Sequence, residues 1–493
     1  MSGAREELQR RLPVALGVCL AVAAFSWQAL DAAFDRPISV GEGADLSAAH
    51  AAMGGRVPCR DFACGPAPLY PFLAGPPLAA AGIGAMGQRL LNAALALAGL
   101  SALGLALAQR TRRGEVGALA AFSVAASPHW VGAVVAGGAT GAAAAFLCTA
   151  AAAALSTSRL APRAVIFCAA GAAAVGCAPL TAVAVVPLAV CLGAGAGSRG
   201  RRAALACAGA GIPLAGLAPF IAFAPDGATA DLWSALRAGS AAKSTYGVAM
   251  PMFAVAPGAA LALVAGLVAV PALIAGRRTV ELVGLVAAVS GVAIAAVIPG
   301  EDAATVAPFA PIAVGAGLVA AWTVACKGGS PLRHALWLAP LMALYQPIPS
   351  SGLGRADAEV AAAAAYIRRS VPPGPILTPQ PAFAVAADRG VIPGTELGAH
   401  AVLAKGRDKE AARLQLTTLR ALTRAVEARS PRAIVLHRAD DALDFGRDRR
   451  TGARHAKGAI RKFQRAVMER YERVFTTPSY AVYVPRAGVD ARR

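Results

Sequence analysis

The sequence predicts an α-helical polytopic membrane protein of about eleven spans, counted at roughly 20 residues each, followed by a small C-terminal α/β domain. Three observations predict it. Hydrophobic residues fill 57% of the 493 positions and the mean hydropathy is +0.57, more apolar surface than an ordinary soluble enzyme can hide from water. The charges of the first two-thirds stand as short basic clusters between apolar runs, as positive-inside topology demands. After Tyr345 the composition shifts to a segment in which helical and strand-like patterns alternate.

The elements follow in order. Arg10 and Arg11 precede an apolar run from Leu12 to Leu30, read as an uncleaved first helix with a cytoplasmic N-terminus. Residues 31–87 form the first outer loop. Its second half, "APLYPFLAGPPLAAAGIGAMG", contains four prolines and reads as a helix lying at the interface or re-entering, not a span. Gln88 to Gln109 is a clean span ending in "RTRR". Arg159, Arg163, Arg199, Arg201, Arg202, Arg277, Arg278, Lys327 and Arg333 then all fall on the cytoplasmic side. The "SPHW" near Pro128, the loop Asp226 to Met250, and Glu301 with Asp302 fall outside. The short pair of spans either side of "GCAPLT" is the least regular.

The chain thus divides into a membrane domain over 1–348 and a soluble domain over 349–493. An odd number of spans puts the soluble domain outside, on the face of the first loop. There "ADAEVAAAAAYIRR" reads as helix and "PILTP" as a short strand. "DKEAARLQLTTLRALTRAVEAR" reads as one long amphipathic helix. "RAIVLH" is a buried strand, "GAIRKFQRAVMERY" a helix and "SYAVYVP" a closing strand.

The net charge of +20 does not signal nucleic acid, because the clusters follow the span pattern. Seven of the nine cysteines (Cys19, Cys148, Cys168, Cys177, Cys191, Cys207, Cys326) lie in or beside apolar runs, where Cys is a small hydrophobe. Only Cys59 and Cys64 share a polar loop. They could close a small disulfide in an oxidising compartment, although so short a loop strains the geometry, and they can equally stay as free thiols. "GAGAGSRG" (Gly193 to Gly200) follows an apolar run and lacks the βαβ context of a dinucleotide loop. "GSAAKST" (Gly239 to Thr245) has Ala242 where a phosphate loop needs glycine. No metal-binding spacing occurs. No cofactor is called for by any motif, and a divalent metal stays compatible with a phosphate-linked donor.

The chemistry is densest in the first loop, which from Glu42 runs "EGADLSAAHAAMGGRVPCRDFACGPAPLYPFL". Glu42-Gly43, Gly55, Arg60-Asp61-Phe62 and Pro68-Leu69-Tyr70 resemble the first-loop pattern of the GT-C superfamily of membrane glycosyltransferases. The likeness is to the bacterial branch near the protein mannosyltransferases and the lipid A aminoarabinose and galacturonic acid transferases. The resemblance implies a many-span fold, an outer α/β tail, and sugar transfer from a polyprenyl-phosphate carrier. Two departures stand out. Gly41 occupies the place of the family's catalytic Asp, and Cys59 that of a usual Tyr. The family's loop between the third and fourth spans often carries an acid, whereas this chain reads "GGATG".

Transfer to a hydroxyl needs a carboxylate near the acceptor oxygen as general base, and cations on the departing phosphate. Glu42 and Asp45 are three apart and share a helical face. Either can serve as the base, or both can simply favour the start of a helix. Asp61 either pins the loop through an ion pair or joins the phosphate site. Arg56, Arg60, Arg237 and Lys243 are candidate phosphate contacts, with lipid headgroups as their alternative ligand. His50 falls on the polar side of its helix.

The expectation is an inverting glycosyltransferase of the inner membrane. Its partners would be a polyprenyl-phosphate-linked sugar donor, membrane lipid, and a glycan, lipid or protein acceptor on the outer face. Nucleic acid is not among them. The alternative is a non-catalytic relative that binds lipid or glycan as a scaffold, and Gly41 favours it. Transport is disfavoured by the near absence of ionisable residues in mid-span. The basic tail also suits an anionic polymer.

Overall fold

The computed structural model of the chain describes residues 38–218 and 354–486, apart from 39, 59, 64–67, 83, 112–113, 126–127, 136–137, 195–197, 216–217, 404–407 and 439–454. The first span, the later spans, Arg237, Lys243, Cys59 and Cys64 lie outside the described residues. Two compact units emerge. One holds residues 89–218, and the other unites the first loop, up to Gln88, with the C-terminal segment after Ser351.

In the first unit helices run Ala85–Thr111 (entering from Gln88), Gly114–Ala125, Pro128–Val135, Gly138–Leu155, Leu160–Cys177, Ala182–Ala194 and Arg199–Ala215. Among the described residues three, Ala85–Thr111, Gly138–Leu155 and Leu160–Cys177, are long and apolar enough to cross a membrane. Small side chains set their spacing. A Cβ added at Gly117 would stand 2.2 Å from the Gly104 carbonyl oxygen, so only glycine admits this backbone approach. Gly138, within "GGATG", opens the Gly138–Leu155 helix, and Asn92 Nδ2 donates to its carbonyl at 2.8 Å. Arg163 is buried and caps the far end of that helix. Its Nε donates to Ala153 O at 3.0 Å and its Nη2 to Ala154 O at 2.8 Å, placing a cation on the unsatisfied carbonyls of a C-terminus.

The second unit has a three-layer C-terminal part. The strands are β1 (Ile376–Leu377), β2 (Val402–Leu403), β3 (Thr417–Thr418), β4 (Ala433–His437), β5 (Tyr471–Thr476) and β6 (Tyr480–Pro485). Four of them form a mixed sheet in the order β1-β4-β6-β5, with β1 parallel to β4 and the rest antiparallel. Side chains alternate across it. Ala433, Val435 and Val482 face the Gly354–Ser370 helix through Val360, Ala363 and Ile367. Ile434, Leu436, Ala481 and Tyr483 face Leu422, Val426, Phe463 and Val467 of the helices Leu419–Glu427 and Lys457–Arg470. Glu359, buried, ties the first of these helices to the β5–β6 turn, accepting from Thr477 Oγ1 at 2.7 Å and Ser479 N at 2.8 Å.

One sequence expectation is corrected. The single helix read over Asp408 to Arg429 is two, Asp408–Arg413 and Leu419–Glu427. Between them Gln415 takes φ 56°, and Thr417–Thr418 pairs with β2. Thr418 then caps the second helix, its Oγ1 accepting from Ala421 N at 3.1 Å. Paired β-branched threonines, one of them an N-cap, override the helical periodicity of their flanks. The sequence also singled out no strand at Tyr471–Thr476, whose outer side chains are exposed.

Candidate active site

The first loop opens on a helix, Val40–Met53, with Glu42 in its first turn. This is where the positive end of the helix dipole favours a carboxylate. The helix stops by a Schellman motif. Gly55 adopts φ 81°, Arg56 N donates to Ala51 O at 3.1 Å, and Gly55 N donates to Ala52 O at 3.0 Å. Only glycine takes that conformation without strain, so Gly55 ends the helix for a backbone reason.

The chain then folds tightly on itself. Arg60 N and Asp61 N both donate to Val57 O, at 3.2 and 2.9 Å. Asp61 closes the turn with its side chain. Arg60 Nε donates to Oδ1 at 2.9 Å and Arg60 Nη2 to Oδ2 at 2.8 Å, while Val57 N donates to Oδ2 at 2.7 Å. The Arg60 hydrogen bond, then the Val57 amide, hold the Asp61 carboxyl at about 2, below the ordinary carboxylate range. Arg60 is raised in turn by its bond to Asp61. This pair faces solvent.

A second network fixes the loop to the C-terminal segment. Arg56 Nη2 donates to Glu396 Oε1 at 2.8 Å and to the Asp61 carbonyl at 2.8 Å, with the guanidinium 5.3 Å over the Phe62 ring. Glu396 is 2% exposed and its Oε2 accepts from Gly394 N at 2.9 Å. Gln415 Nε2 donates to Arg60 O at 3.1 Å, and Gln380 Nε2 to Ile38 O at 2.6 Å. Apolar contacts complete the seam. Ala44 and Ala63 pack with Leu397, Ala401, Ala411 and Leu416, and Phe62 packs on Ala48 and Ala51. Gly43 explains itself here. A Cβ on it would lie 2.8 Å from Gln380 Oε1 and 3.0 Å from the Ala382 amide nitrogen.

Glu42 is 2% exposed, whereas Asp45 and His50 are half-buried on the same helix. A carboxylate can take a proton from a hydroxyl brought within hydrogen-bond reach. Asp61, Arg60 and Arg56 come together in one network. Among the described residues, no group of three or more His, Cys, Asp or Glu is placed to hold a metal ion. The sequence reading did not find Glu396, Gln380 or Gln415. Nothing in the neighbours of each marks a partner more than 300 positions away.

No family model and no curated protein matches the sequence. A crystal structure of ArnT from Cupriavidus metallidurans bound to undecaprenyl phosphate is similar in fold, with a TM-score of 0.62 at 14% sequence identity, over 96% of this chain and 98% of that one. The chain therefore shares its overall fold with that protein.

Proposed function

We propose that this protein is an integral membrane glycosyltransferase of GT-C type. It transfers a sugar from a polyprenyl-phosphate carrier to a glycan, lipid or protein on the outer face of the membrane. The observation that carries this reading is the fold shared along 96% of the chain with a protein bound to undecaprenyl phosphate. The first-loop pattern of Glu42-Gly43, Gly55 and Arg60-Asp61-Phe62, found independently in the sequence, supports it. In this reading Glu42 takes the proton of the acceptor hydroxyl as the sugar's anomeric carbon bonds to that oxygen. The bond to the carrier phosphate breaks in the same displacement, inverting the centre, and Asp45 is the second candidate base. Arg237 and Lys243 remain the candidate phosphate ligands, because Arg56 is engaged by Glu396 and Arg60 by Asp61. The region after Ser351 is proposed to lie outside the membrane with the first loop.

A second reading is supported by Gly41, exposed at the position of the family's acid. In it the protein is a non-catalytic scaffold that binds lipid or glycan. The purified chain in nanodiscs, given a panel of undecaprenyl-phosphate sugars and extracted acceptors, separates the two. Release of undecaprenyl phosphate with sugar incorporation supports the enzyme. Absence of turnover in the parent, with activity conferred by Gly41→Asp, supports the scaffold.

A further inference from the structure

We propose that the outer crest of the Lys457–Arg470 helix is a docking surface for an anionic lipid bilayer. The helix carries Lys457, Arg461, Lys462, Arg465 and Arg470 against the single acid Glu469. Its inner face is committed, with Phe463, Ala466 and Val467 buried in the core. That orientation fixes what remains. Lys457, Arg461 and Arg465 follow at four-residue steps on the side opposite Phe463, and all are exposed. The steps are about 6 Å apart along the helix axis. Lys462, nearer the neighbouring helix, faces Glu427 at 3.9 Å. Lys457, Arg461 and Arg465 make no ion pair among the described residues.

Two observations choose the bilayer over a soluble polyanion. Met468, three residues beyond Arg465, lies on the same face and is 59% exposed, beside Glu469, which takes the next four-residue step. A polyanion has no use for an apolar side chain there. A membrane interface takes both kinds, cations at the level of the phosphates and the thioether below them. The second observation is covalent. The unit bearing the crest passes at Gln88 directly into Ala85–Thr111, a helix long and apolar enough to cross a membrane. Lipid headgroups are thereby held at high effective concentration around the unit.

The test places the full chain in nanodiscs of phosphatidylcholine, with or without phosphatidylglycerol. The rate at which a water-soluble reagent acylates Lys457 is read by mass spectrometry against exposed Lys409. Phosphatidylglycerol is expected to slow Lys457 labelling about fivefold. High salt, or the double variant Arg461→Ser/Arg465→Ser, restores it. Equal rates in the two lipids overturn the proposal. So does protection that survives high salt and the double variant. Protection that appears only on adding an acidic polysaccharide, alike in both lipids, assigns the crest to a soluble polyanion and also overturns it.

Discussion

Arg56 and Glu396, 340 residues apart in sequence, meet at 2.8 Å with the carboxylate 2% exposed. The first loop therefore takes its shape in part from the far end of the chain. Removing Arg56 leaves a buried carboxylate that still accepts from the Gly394 amide. Because Arg56 is 41% exposed, the loss is discounted to about 1–3 kcal/mol. Arg56→Ala and Glu396→Gln are expected to destabilise the second unit, and the double variant to cost less than their sum. Thermal unfolding in detergent gives the cycle, and strict additivity would show the pair to be uncoupled.

Gly43 and Gly55 are small for different reasons, and two alanine variants separate them. Gly43→Ala forces the helix away from Gln380 and Ala382 and is expected to cost about 1–3 kcal/mol. Gly55→Ala meets no neighbour within 4 Å, but must hold φ 81°, for about 1–2 kcal/mol. The double variant Gly43→Ala/Gln380→Ala is expected to recover part of the first loss. Gln380→Ala has no such effect on Gly55→Ala.

Asp61 sets a pH window. Its folded-state value of about 2 lies below the ordinary 3.8. The loop contact is therefore fully present above the ordinary value and is lost as pH falls through about 2. The pH dependence of activity between pH 5 and 8 should owe nothing to the titration of this group, and Asp61→Asn should leave the shape of that profile unchanged. Carbon-13 NMR of labelled aspartate is expected to show one carboxyl titrating near 2, and its absence would remove the ion pair from the loop.

Topology is tested separately. In the proposed topology the clusters at Arg110, Arg199 and Arg277 are cytoplasmic and the C-terminus lies on the outer face. A reporter active only in the cytoplasm, fused after Arg486, is expected to stay silent. A strong signal reverses the proposed orientation.

What the sequence disclosed follows a physical division. Local periodicity was readable. The Ala85–Thr111 helix, the strands at Ile376, Ala433 and Tyr480, and the helices beginning at Gly354 and Lys457 all announce themselves by apolar spacing. Gly55 was singled out in the sequence by the first-loop resemblance, and the fold shows that it ends a helix for a reason of backbone alone. Pairing was not readable. Thr417–Thr418 became a strand because Val402–Leu403 lay beside it, and no local pattern carries that information. Glu396 has the same character. It is a buried acid whose meaning is supplied by Arg56 of a distant loop. The first loop was identified by its residues, whereas the C-terminal residues that hold it appear only in the fold.

The proposed chemistry rests most directly on Glu42, buried at the start of the Val40–Met53 helix. The deciding measurement is the rate of sugar transfer from a polyprenyl-phosphate donor by the parent and by Glu42→Gln, both in nanodiscs and both checked for folding by thermal unfolding. Loss of a general base is expected to cut the rate about 100- to 10,000-fold, with little change in unfolding temperature and with Asp45→Asn the next most damaging change. Transfer at the parent rate by both Glu42→Gln and Asp45→Asn would contradict the assignment of the base to this helix.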